Sequence, residues 1–139
     1  MLKKLPIVFL VLLSGGCSDD ALIDIPELAG KSKSEVESLI GSPVSCGQST
    51  LTKGEQCKFD KADTDIVFVD GKADWFLVDG MNHLEFSEST IELLGFEPQA
   101  PNFSLSVAMT WKPIQGLAYA ALYKGGESAD YALVKAFTE

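Results

Sequence analysis

Three cysteines, one histidine and a short run of aspartates are the residues of this chain best equipped for chemistry. His83 is the only imidazole, and it stands between Asn82 and Leu84 without an adjacent acid or nucleophile. A general base needs an orienting group and a substrate proton within hydrogen-bond reach, so His83 reads as a surface residue approaching a helix. Asp60, Asp63 and Asp65 hint at a cation loop. Their spacing lacks the bend glycine and the distal glutamate of a calcium loop, and a solvated turn guarding strand ends accounts for them better. No nucleophile elbow, phosphate loop or dinucleotide fingerprint occurs. The expectation is a protein that is not an enzyme, with no cofactor and no metal.

The remaining chemistry belongs to the cysteines. Lys3 and Lys4 precede an apolar run, Leu5 to Leu13, and the small residues Ser14, Gly15 and Gly16 lead directly to Cys17. Positive start, apolar middle and small residues at the cut make a signal-peptide layout. The run is far short of the ~20 residues that span a bilayer. The stretch resembles the lipobox of bacterial lipoproteins, with Ser14 where the motif usually has Leu. That resemblance implies cleavage before Cys17, which is diacylated and becomes the new N-terminus. An ordinary signal with an incidental Cys17 is the alternative. Ser18 rather than Asp follows the cysteine, which by likeness to lipoprotein sorting implies the outer membrane, while Asp19 keeps the inner membrane open.

An exported chain meets an oxidising compartment, where an even pair of cysteines reads as a disulfide. Cys46 and Cys57 would close a loop of about 12 residues, worth roughly 3 kcal/mol. The alternatives, metal ligands or a nucleophile, lack companions, since a zinc site needs more ligands than one histidine supplies.

The chain of 139 residues carries a net charge of −9 and no arginine. The signal would take two lysines with it, leaving the mature chain more acidic still. Such a polyanion is a poor match for phosphate backbones, and nucleic acid is excluded as a partner. Any membrane affinity must come from lipid, and a single acyl chain anchors weakly.

The elements that position these residues follow from periodicity. Residues 1–16 are signal and 17–24 lipidated cysteine and tether; a single domain occupies 25–139, divided at 80/81. Ser32 with Glu35 forms a capping box, and Val36, Leu39 and Ile40 give one apolar stripe, so a helix is expected to Ile40, stopped by Gly41 and Pro43. Strands are expected over 56–59, 65–69 and 74–78, with Asp70-Gly71 as a hairpin turn. The pattern recurs at a spacing of 55: Ser32/Ser87, Ser34/Ser89, Glu37/Glu92, Leu39/Leu94 and Pro43/Pro98 are identical. A second helix near Glu88–Leu94 and strands over 104–111, 116–123 and 131–137 complete it. The expected fold class is α+β: tandem α-β-β-β repeats forming an antiparallel sheet with two helices on one face.

The run Gly30 to Pro43, followed by Cys46 and Cys57 across a hairpin, resembles the opening of β-lactamase-inhibitor-protein-like (BLIP-like) domains. It is also similar to the SmpA/OmlA-like small lipoproteins of outer-membrane assembly. The likeness implies tandem helix-plus-strands units and a disulfide just after the first helix. No β-lactamase-binding loop matches residue by residue, so that inhibition is not carried over.

Trp75, Trp111, Tyr119, Tyr123 and Tyr131 all fall in expected strands. One helix layer covers only one sheet face, so at least two of these are expected exposed as protein-binding anchors, since Trp and Tyr dominate such contacts. The leading expectation is a lipid-anchored, non-catalytic interaction module of the bacterial envelope, facing the periplasm and serving envelope assembly. The alternative is an inhibitor or immunity-type protein that blocks an envelope enzyme such as a lysozyme or β-lactamase, where the acidic charge would steer it to a basic cleft.

Overall fold

The computed structural model describes residues 21–137. Cys17, the signal and most of the expected tether lie outside them. Within the expected tether, Ile23 is fully buried and Asp24 caps the first helix, its carboxylate accepting from the Glu27 N–H at 3.2 Å. The packed domain therefore starts a few residues before Ile25.

That first helix, α1, is a single turn at Ile25–Leu28. The second, α2, spans Lys33–Ile40 and has the capping box in both directions: the Ser32 hydroxyl accepts from the Glu35 N–H, and the Glu35 carboxylate accepts from the Ser32 N–H. These bonds hold the exposed Glu35 carboxyl below its ordinary pKa. Of the expected stripe only Val36 is fully buried, Ile40 is half-buried and Leu39 is exposed.

Eight strands follow where six were expected. They are β1 Ser45–Gln48, β2 Glu55–Phe59, β3 Thr64–Val69, β4 Lys72–Val78, β5 Phe103–Ser104, β6 Ala108–Trp111, β7 Tyr119–Gly125 and β8 Ser128–Lys135. The added members, β1 and β5, are short edge strands with every residue exposed. All pair antiparallel in one sheet, in the order β1-β2-β3-β4-β8-β7-β6-β5. The coarse α+β expectation with an antiparallel sheet holds.

Asp70-Gly71 is a two-residue turn between paired Val69 and Lys72, and both residues have positive φ. That backbone twist matches the strands it joins, which is why Asp-Gly serves there. The expected second helix forms as a 3-10 helix over Glu88–Leu94. Thr90 stands where α2 has Glu35, so no carboxylate reaches back to close a capping box, and the Ser87 hydroxyl lies against the Ser89 and Thr90 hydroxyls rather than capping. The Thr90 hydroxyl instead bonds back to the Glu85 carbonyl, a local competitor to regular helix.

The core lies on one face of the sheet. Phe59, Ile66, Phe76, Val78, Leu122, Ala132 and Val134 supply that face. Ile23, Leu28, Val36, Ile91, Leu94 and Phe96, from the helical segments and their flanks, belong to the same buried cluster. A bulge at Val67/Phe68 opposite β4 leaves Asp74 extra. Its buried carboxylate accepts from the Phe137 N–H at 2.8 Å and its carbonyl from the Ala136 N–H, fastening the end of β8 to β4.

Candidate functional site

Side chains alternate across a pleated strand, so the residues between those of the core point to the opposite face. There the register aligns Val67, Trp75, Lys135 and Tyr119 in one row and Leu77, Leu133 and Ala121 in the next, followed by Tyr131 beside Tyr123. Val67, Ala121 and Lys135 are buried but stand outside the core cluster, which marks this as a second, thinner apolar layer. Trp75, Leu77, Tyr119, Tyr123, Tyr131 and Leu133 keep part of their surface in solvent.

The aromatic rings are ordered against one another. Tyr123 and Tyr131 stack with centroids 4.6 Å apart and planes 19° from parallel. Trp75 and Tyr119 meet edge to face at 6.5 Å. The Lys135 ammonium sits 5.0 Å over the Trp75 ring, a favourable cation–π position. Burial, and then the neighbouring Tyr123, raise the Tyr119 and Tyr131 phenol pKa values above the ordinary one. These rings are preorganised and present apolar flanks with neutral hydroxyls.

Trp111 does not join them. It is 1% exposed, sits in the core, and donates its indole N–H to the Gln99 carbonyl at 2.9 Å. Its ladder partner is Ala120, a core residue. This corrects its placement among the surface anchors: cross-strand partners share a face, and Ala120 faces the core.

An acidic margin borders the aromatic face. Asp65 accepts from the Gln56 amide at 2.8 Å, and Asp63 pairs with Lys58 at 3.3 Å. Partial desolvation raises the carboxyl of the exposed Asp79 above its ordinary pKa, and the charges of Asp63, Asp65 and Asp130 add to the effect against the attraction of Lys58. A raised carboxyl favours folding most when protonated, at low pH, and opposes it once ionised. Asp79→Asn should therefore stabilise the fold at neutral pH. The gain should shrink as pH falls through the carboxylate range and as salt screens the cluster; chemical denaturation across pH and salt measures it.

No family model, curated protein or solved structure matches this chain. The chemistry must be read from its own residues. Cys46 and Cys57 are disulfide-bonded, directly opposite each other in the β1–β2 ladder, with Cα atoms 4.1 Å apart. Glu55 lies close to both sulfurs. The sulfurs are spent on each other, however, and Glu55 pairs with Lys33 at 2.9 Å, so this trio offers no thiolate to a metal. His83 is exposed. Among the described residues no helix is long and apolar enough to cross a membrane.

Proposed function

We propose that this chain is a lipid-tethered binding protein of the bacterial envelope, non-catalytic, that uses the aromatic sheet face to hold a protein partner with a basic surface. The observation that carries this reading is the ordered set of half-exposed rings Trp75, Tyr119, Tyr123 and Tyr131 on the face opposite the core. Rigid amphipathic rings lose little conformational entropy on binding and make the strongest interface anchors. The partner's charge follows from the acidic margin around Asp79 and the net charge of −9, which would speed encounter with a basic surface.

The tether at Cys17 rests on the sequence layout, and mass spectrometry of the mature N-terminus tests it: the expected product starts at an acylated Cys17. A tandem duplication underlies the fold in this reading. Supporting it, β7 starts 55 residues after β3, the 3-10 helix starts 55 after α2, and the strand order mirrors itself about the β4–β8 pair. The likeness to BLIP-like and SmpA/OmlA-like proteins fits such a binder and supplies no partner.

The face is tested with a photo-crosslinking residue placed at Tyr119 in cells, and at exposed Ser38 of α2, on the core side of the sheet, as control. One adduct should form at Tyr119 and none at Ser38. Tyr131→Ala should weaken the partner's binding about 30-fold, the effect of losing about 2 kcal/mol at an interface anchor. An adduct of equal yield in the Tyr131→Ala protein would remove the face from consideration.

A further inference from the structure

Pro98 to Trp111 is a run of 14 residues without a charged side chain. It holds the β5–β6 hairpin, whose tip exposes Phe103 (67%), Leu105 (67%) and Val107 (60%). The turn closes with the Leu105 N–H on the Ala108 carbonyl at 2.8 Å. Three large apolar side chains on one short hairpin are more than scattered surface hydrophobics and mark an interaction site.

The position of the hairpin identifies what it meets. Ala21, the first described residue, lines a shallow cavity together with Glu85 and Ser87. Glu85 bridges to Ser128 at the start of β8. The Lys124 ammonium lies 5.8 Å over the Phe86 ring, and the Lys124 N–H donates to the Val107 carbonyl at 2.9 Å. The chain entry and the hairpin tip thus occupy the same end of the sheet. Cys17 is four residues before Ala21, a reach of at most about 14 Å. A lipid on Cys17 would bring this end of the domain to the bilayer surface.

We propose that Phe103, Leu105 and Val107 insert into the interface of a zwitterionic bilayer beside the acylated Cys17; this rests on the lipid tether proposed above. The uncharged stretch allows entry among headgroups, whereas the acidic chain is repelled by anionic lipid. An acyl anchor is marginal alone and gains from a second apolar contact. Docked in this way, the sheet would hold Trp75 and Tyr119 at its membrane-distal end, clear for a partner.

The test uses full-length lipidated protein and phosphatidylcholine vesicles. An environment-sensitive nitrobenzoxadiazole dye is attached at Leu105→Cys, and for comparison at Lys72→Cys, at the opposite end of the sheet. Co-flotation with vesicles reads the tether; dye emission reads the insertion. Both proteins should float, with a blue shift at position 105 and none at 72. Flotation with an unshifted dye at 105 overturns the insertion and leaves the tether standing. Failure to float overturns both. A shift at 105 that grows with protein concentration without vesicles assigns the hairpin to a second copy of the chain, and also overturns the proposal.

Discussion

Trp111→Ala should unfold this domain far more readily than any alanine substitution on the aromatic face. The expected loss is about 3–5 kcal/mol, the usual cost of truncating a buried large aromatic side chain. A domain of this size holds only about 5–15 kcal/mol in all. Two effects add. The side chain is 1% exposed, so its removal leaves a cavity against the core face of β7. The Gln99 carbonyl also loses its indole donor, and that bond joins the 97–102 segment to β6. Urea denaturation followed by circular dichroism measures the loss. Tyr131→Ala in the same assay should cost only about 1 kcal/mol, the order of one aromatic pair contact, because Tyr131 is half-exposed and its stacking partner Tyr123 can turn to solvent. A Trp111→Ala loss as small as that of Tyr131→Ala would return Trp111 to the surface.

The contrast between these two residues shows where sequence patterning stops. In β7 the alternation of Tyr119, Ala121 and Tyr123 with Ala120 and Leu122 is plain, and so is its division between two faces. Nothing in the sequence gives the register of β6 against β7, and a one-residue slip exchanges the faces. Register alone makes Trp111 core. Features set by short-range chemistry were legible: the Ser32–Glu35 box, the Asp70-Gly71 turn and the Cys46–Cys57 pair are each decided within about a dozen residues. The edge strands were not. Ser45–Gln48 has no apolar alternation because it buries no side chain, and it exists only by pairing with β2. Likeness to α2 points to a helix at Glu88–Leu94 and does not distinguish 3-10 from α. Threonine for glutamate at its third helical position removes the reciprocal half of the capping box and adds a bond back to the Glu85 carbonyl. The aromatic face follows the same logic: the ring types were visible, but their convergence depends on β4 pairing with β8 across half the chain.

Reduction of the Cys46–Cys57 bond should lower stability by about 3 kcal/mol and the melting temperature by roughly 10 °C, with most of the structural loss confined to β1. This strand has little else to hold it. Its four residues are exposed, it forms one edge of the sheet, and the disulfide joins exposed Cys46 to fully buried Cys57. The bond thus ties the edge to the core through β2. Hydrogen exchange separates this from global weakening. On reduction, amides that bond across β1 and β2, such as Val44 to the Lys58 carbonyl, should lose protection first. Amides of the β4–β8 joint should retain theirs until the whole domain opens. Cys46→Ala and Cys57→Ala should then differ. Both lose the cross-link, but only the second also opens space in the core, where Cys57 packs with Phe59 and Ile66, so Cys57→Ala should be the less stable. Equal stability of the two would mean that the cross-link alone sets the loss. Unchanged exchange at Val44 after reduction would mean that the ladder holds β1 without it.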